Sequence, residues 1–292
     1  MIKEIQAKTI LSTCKNPSGW FGTLYSMNIY RGCTFKCIYC DSRSECYQIE
    51  NFDDIYVKVN AIDLLKKELP RRRKKGTIGT GAMSDPYNPV EKEYRLTRKA
   101  LETIAEARFP VHITTKSTLV TRDVDVLMEI GKIYASVAIT ITTTDDFLAA
   151  KIEPYAPPPS ERLKAIGILS ALGITTGITM MPILPFIEDS EENIVGIVKA
   201  AKEFGASFIY PCFGVTLRDR QRDYFYRELD KSFPGTRSKY EKRFGVRYSC
   251  SSSNRKKLME CFYEACRNLG VSTDIPTYCN KISAYQLSLF DI

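Results

Sequence analysis

Histidine is almost missing from this 292-residue chain, with His112 its sole representative, so no histidine pair is available to complete a zinc site. A long apolar run is missing too, and nothing approaches the length needed to span a bilayer. The start, Met1-Ile2-Lys3-Glu4-Ile5, lacks the apolar region of a secretory signal. These absences lead us to expect a cytoplasmic protein with no membrane partner. The ten cysteines do not look like a disulfide scaffold, because three are clustered and the others scattered, which suits a reducing compartment. Length and an apolar content of 44% fit one large catalytic domain with a small appendage.

What the chain does have is Gly32-Cys33-Thr34-Phe35-Lys36-Cys37-Ile38-Tyr39-Cys40-Asp41, three cysteines at the spacing CxxxCxxC. A [4Fe-4S] cluster normally takes four cysteine ligands, so a loop supplying Cys33, Cys37 and Cys40 leaves one iron open to a ligand from solution. Zinc competes, since CxxC pairs often hold it, but a partner pair is wanting. Cys14 could add a fourth ligand, although a small buried cysteine is the commoner case. Cys250, Cys261, Cys266 and Cys279 are spaced too irregularly to favour a second cluster.

With Tyr39 just before its third cysteine, the motif resembles the signature of the radical S-adenosylmethionine (SAM) superfamily. Further stretches follow in order: Tyr30-Arg31-Gly32-Cys33, Cys40-Asp41-Ser42-Arg43, Gly81-Ala82-Met83-Ser84-Asp85-Pro86-Tyr87, Thr115-Lys116-Ser117, Ile152-Glu153-Pro154 and Met181-Pro182-Ile183-Leu184-Pro185. Together they resemble the branch related to spore photoproduct lyase over roughly residues 25 to 215. The resemblance implies a [4Fe-4S] cluster whose open iron binds SAM, and an electron donor such as flavodoxin or ferredoxin. It also implies a 5'-deoxyadenosyl radical that abstracts hydrogen from a substrate. The SAM contacts it implies are Ser84, Lys116 and Thr140, with Asp85 and Ser117 beside them and Tyr39 near the cluster. Glu153 and Arg162 either orient SAM or pair with each other.

The chain departs from the lyase pattern in two places. Asp41 and Ala82 stand where those lyases carry a tyrosine and a hydrogen-donating cysteine, and neither can return a hydrogen atom to a product radical. Cys212 is the alternative donor, set against the ordinary reading of a buried apolar cysteine.

Periodicity supports the same α/β class independently. After a turn-rich lead-in over 1–24, six β-type runs alternate with helical ones, near 25–30, 77–81, 111–115, 134–142, 174–181 and 207–213. Asn60 suits the cap of a helix through Leu69, and Ser160 the cap of one over 161–172. Further helices are expected over 96–107, 124–130, 191–204 and 256–269. Six units fit the partial (βα)6 TIM-type barrel that the resemblance implies, over 25–215, followed by a small, mostly helical extension over 216–280. Chemistry would belong at the C-terminal ends of the strands, where the motifs fall. His112, between Val111 and Ile113, reads as a structural histidine.

Charge is unevenly distributed. Residues 218–257 hold 13 Lys and Arg against 5 Asp and Glu, a surplus of +8 that equals the whole-chain value of +8. Tyr224, Phe225, Tyr226, Tyr240 and Phe244 are interleaved there, the mixture suited to neutralising phosphates and stacking bases. The nucleic-acid candidates are Arg218, Arg220, Arg222 and Arg227; the alternative is a pair of solvated helices whose aromatics pack on the barrel. Arg71-Arg72-Arg73-Lys74-Lys75 reads as a solvated loop. Within a flexible tail over 281–292, Gln286-Leu287-Ser288-Leu289-Phe290 resembles the peptide by which bacterial DNA polymerases and repair proteins dock on the sliding clamp, with Gln286, Leu287, Leu289 and Phe290 as contacts. The expected function is radical SAM chemistry on DNA, in repair or base modification. Its rivals are modification of a protein or small molecule, and a non-catalytic iron-sulfur protein.

Overall fold

The structure is a computed structural model that describes residues 1–17 and 21–279. The lead-in supplies β1 (Ile2–Ile5) and β2 (Leu11–Thr13), and the first expected β-type run forms β3 (Thr23–Met27). Next come β4 (Tyr30–Arg31), the cysteine loop, β5 (Ile55–Lys58) and α1 (Ala61–Glu68). The repeating part contains β6 (Thr77–Thr80), α2 (Glu91–Tyr94), α3 (Leu96–Glu106), β7 (Val111–Thr115), α4 (Val124–Gly131), β8 (Ala135–Thr140), α5 (Asp146–Ile152), α6 (Pro159–Ala171), β9 (Thr175–Ile183), α7 (Glu191–Glu203) and β10 (Phe208–Thr216). The chain continues through α8 (Asp219–Ser232), α9 (Thr236–Phe244), β11 (Ser249–Ser251) and α10 (Arg255–Leu269).

Strands β3, β6, β7, β8, β9 and β10 pair side by side in parallel, as six expected βα units require. Their β-branched residues are covered on both faces: Ile78, Val111, Ile113, Val137, Ile139, Ile178 and Ile209 are all fully buried. Antiparallel β2 and β11 form the two edges, so the eight-stranded sheet is open. Leu65 in α1 and Leu69 just after it are buried in the core. No helix among the described residues is long and apolar enough to cross a membrane.

Three local expectations are corrected. The lead-in is structured: β1 pairs in parallel with β5, and β4 pairs antiparallel with β5, in a separate three-stranded sheet that presents the cysteine loop. Strands this short carry no readable period, because their partners lie far along the chain. Asn60 stands at the N-cap position of α1 as expected, but its side chain does not bond the first turn; its amide exchanges two hydrogen bonds of 2.9 Å with the Ala7 backbone instead. Ser160 lies inside the first turn of α6, bonded to Asp146 at 2.6 Å, because Pro159 already fills the first helical position without needing a partner for an N–H.

Candidate active site

The cysteine loop begins at a position only glycine fits. Gly32 has φ +82°, and a Cβ there would stand 2.0 Å from the Asp54 carbonyl oxygen. The loop is then stitched down from three sides. The Cys33 N–H donates to the Phe52 carbonyl at 3.3 Å, the Ile38 N–H to the Ile152 carbonyl at 2.9 Å, and the Ser84 hydroxyl to the Gly32 carbonyl at 2.5 Å. Cys33 and Cys37 are buried, Cys40 is half-buried, and none is in a disulfide. All three border one cavity of about 1020 Å³ at the C-terminal ends of the strands.

Burial pushes the thiols up, Cys33 to about 12 and Cys37 and Cys40 likewise above the ordinary range. The Lys116 ammonium acts in the opposite sense on Cys37 and Cys40, and so favours their thiolates. Among the described residues no three ligating side chains are drawn together as tightly as one metal ion requires. Three cysteines free of disulfides beside a lysine ammonium are a donor set that would suit a cluster held by thiolates, and Cys33, Cys37 and Cys40 are the residues that would hold it.

Behind the loop lies a buried ionic network. The Tyr39 hydroxyl donates to Glu153, Glu153 pairs with Arg162 at 2.6 Å, and the Lys116 ammonium stands 3.8 Å from the same carboxylate. Arg162 also donates to the Thr140 carbonyl at 3.0 Å and the Pro157 carbonyl at 2.6 Å. Glu153 and Arg162 side chains are each 1% exposed and lie off the cavity wall, so they pair with each other and act on the site through Tyr39 and Lys116. Burial alone would raise the Glu153 carboxyl; Arg162 and Lys116 outweigh it and hold it below the usual range. Nearby Glu188 has no ion pair among the described residues, and burial pushes it up to about 8.

The other expected SAM contacts divide. Thr140 borders the cavity, its hydroxyl 2.8 Å from that of Thr179. Asp85 also borders it but is saturated, accepting from the Thr115 hydroxyl and Lys116 N–H at 2.7 Å each and from the Tyr87 N–H at 2.9 Å. It clasps the loop after β6 to the end of β7. Ser117 does not border the cavity; it caps the turn after β7 by accepting from the Leu119 N–H at 3.3 Å.

Another wall of the cavity is built by β10, β11 and α10. Cys212 lies at the register shift in β10 and is exposed to the cavity, contrary to a buried apolar cysteine. Ser251, Arg255 and Tyr263 border the cavity beside it. Sequence reasoning missed these three: the period of α10 was readable, but β11 and its pairing with β10, which swing the helix onto the mouth, were not.

The arginine candidates are largely engaged. Arg218 pairs with Asp41 at 2.7 Å. Arg220 donates to the carbonyls of Arg43, Ile49 and Glu50 at 2.8, 2.5 and 3.2 Å, and Arg222 to those of Leu217, Gly245 and Arg247 at 2.7, 2.7 and 2.6 Å. Arg227 is exposed. The interleaved aromatics do not offer stacking faces to solvent: Phe225, Tyr226, Tyr240 and Phe244 are buried against one another and the barrel, and Tyr224 lies under the Arg43 guanidinium at 3.7 Å. His112 is buried, stacked on Phe21 and held by Ser136 and Thr114, with its pKa lowered to about 3 by burial, as a structural histidine should be. Cys14 borders the cavity, whereas Cys250 and Cys266 are buried and do not border it. Gln286, Leu287, Leu289 and Phe290 lie outside the described residues.

A family model described as the radical SAM superfamily matches residues 27–210. An uncharacterized protein of Methanocaldococcus jannaschii is 34% identical, the match covering 70% of this chain and 75% of that one. One from Mycobacterium tuberculosis is 29% identical over 82% of this chain and 73% of its own. Among solved structures, spore photoproduct lyase complexed with dinucleoside spore photoproduct matches with a TM-score of 0.70 and 17% identity, covering 92% of this chain and 79% of that chain. A mutant of that lyase with bound AdoMet and the same dinucleoside matches with a TM-score of 0.67, also at 17% identity, covering 92% and 78%. At that identity the likeness is one of fold.

Proposed function

The chain belongs to the radical SAM superfamily, and from that premise we propose that it holds a [4Fe-4S] cluster on Cys33, Cys37 and Cys40 and uses SAM to abstract hydrogen from DNA, in repair or base modification. The observation that carries this reading is the cavity itself, which three disulfide-free cysteines of one loop and the exposed thiol of Cys212 border together. When bound, the cluster and SAM supply a carbon-centred radical. The chain's task is to hold and shield it. Lys116 presents an ammonium, kept charged by Cys37 and Glu153 against the pull of burial, and pairs with the carboxylate of SAM. Thr140 offers a hydroxyl, Asp85 fixes the Lys116 backbone, and Ser84 holds the loop. Cys212 gives up its S–H hydrogen to a carbon-centred product radical, leaving sulfur with the unpaired electron.

DNA is supported by charge at the mouth. Lys239, Lys242, Arg243 and Arg247 are exposed and make no ion pair among the described residues, and the chain leads from them into Ser249 and Ser251 on the cavity wall. The structural neighbour binds a dinucleoside photoproduct. A flavodoxin or ferredoxin would donate the electron, and the tail motif would bring the enzyme to a sliding clamp.

The test is anaerobic. The reconstituted, reduced protein should release 5'-deoxyadenosine from SAM, and a variant with Cys33, Cys37 and Cys40 changed to alanine should not. No cleavage by a reduced, SAM-bound cluster, with candidate DNA present, would sink the catalytic reading.

A further inference from the structure

Four charged side chains border the cavity: Asp41, Asp85, Lys116 and Arg255. Three are already answered. Asp41 is paired with Arg218 at 2.7 Å, Asp85 accepts three hydrogen bonds, and Lys116 stands 3.8 Å from Glu153. Arg255 alone has neither an ion pair nor a side-chain hydrogen bond among the described residues, although it borders a site whose other charges are neutralised. It sits near Cys212, whose thiol feels its positive charge, on the wall formed by β10, β11 and α10.

A guanidinium held at a cavity edge with its donors free is suited to an oxyanion, which it meets with two parallel N–H bonds. Resting on the DNA reading above, we propose that Arg255 receives a backbone phosphate of the substrate and thereby sets the adjoining nucleoside against Cys212. It is a binding and positioning residue for the substrate, since the SAM carboxylate already has Lys116 on the other wall. Tyr263, on the same face of α10 two helical turns further on and 39% exposed, offers that nucleoside an aromatic surface.

Cys212 is exposed, so its alkylation reports occupancy of this wall directly and without turnover. Anaerobic holoprotein is treated with iodoacetamide, and modification of the Cys212 peptide is followed by mass spectrometry against rising thymidylyl-thymidine, with thymidine as the uncharged probe. We expect the phosphodiester to protect Cys212 and thymidine to protect far less. In Arg255→Gln about tenfold more dinucleotide should be needed, the loss of one charge-assisted contact. Arg73→Gln, an exposed cation of the solvated loop that does not border the cavity, should match the wild type. Equal protection of wild type and Arg255→Gln would overturn the role of Arg255 while leaving nucleic-acid entry intact. If neither the dinucleotide nor a longer single strand protects wild-type Cys212, the DNA reading falls and this assignment with it.

Discussion

On the cysteine wall of the cavity every charge is answered, with Glu153 and Arg162 buried behind it, whereas on the wall of β10, β11 and α10 Cys212 is exposed and Arg255 has no partner among the described residues. The difference separates two duties. A group that stays bound needs its surroundings fixed in advance, and that is achieved by glycine geometry, backbone stitching and a buried ionic network. A substrate that comes and goes is met by side chains whose donors are left to water until it arrives. The first wall should therefore be costly to disturb and the second nearly free.

The sharpest way to break this comparison is Arg162→Ala. Removing one partner strands the Glu153 carboxylate in the interior, and about 3–5 kcal/mol of stability should go, measured by urea unfolding. A loss below about 1 kcal/mol would mean that water reaches the network and that the wall is not preorganised. Arg222→Ala should follow, at roughly 1.5–3 kcal/mol, because one guanidinium ties Leu217 to both sides of the turn after α9. A variant as stable as the wild type would return Arg222 to the pool of free surface cations.

The neighbouring buried carboxyls Glu153 and Glu188 should also titrate in opposite directions. Glu153 is held below its ordinary value, so its contribution is present above about pH 4.3 and is lost as pH falls through the lowered folded value. Glu188 is pushed up to about 8, so the folded state holds its proton longer than the unfolded state does. Its penalty grows as pH rises from about 4.3 towards 8 and then levels off. Measured by thermal unfolding, Glu188→Gln should gain on the wild type across that window, while the deficit of Glu153→Gln should shrink on acidification. Parallel curves for the two variants would show that Arg162 and Lys116 do not discriminate between the two sites.

Much of the first wall was legible because its constraints are local. The CxxxCxxC spacing, Gly32 before it and the apolar strand runs each state their requirement within a few residues, and the parallel order of six strands follows from them. The second wall was not. Arg255 and Tyr263 reach the cavity only because a three-residue strand, β11, pairs with β10, and so short a strand leaves no period to read. Composition misled for a related reason: the surplus of cations in 218–257 does not reveal that Arg220 and Arg222 are turned onto backbone carbonyls or that Phe225 and Tyr240 are wholly buried. Glu153 and Arg162 could be recognised as partners, but not as a pair lying behind the wall.

The smallest expected effect bears on the second wall. Cys212 makes one weak contact, its thiol 3.7 Å from the Gly214 carbonyl, and Arg255 makes none with its side chain among the described residues. Cys212→Ala and Arg255→Gln should each leave stability within about 0.5 kcal/mol of the wild type, as substitutions clear of packing and networks do. If either costs more than about 1 kcal/mol in the same urea titration, that side chain is helping to hold β10 or α10 in place. The open wall would then be a structural seam, and the contrast with the cysteine wall would lose its functional meaning. If both are neutral, losses of substrate contact in these variants can be read as recognition, because the folded protein is the same.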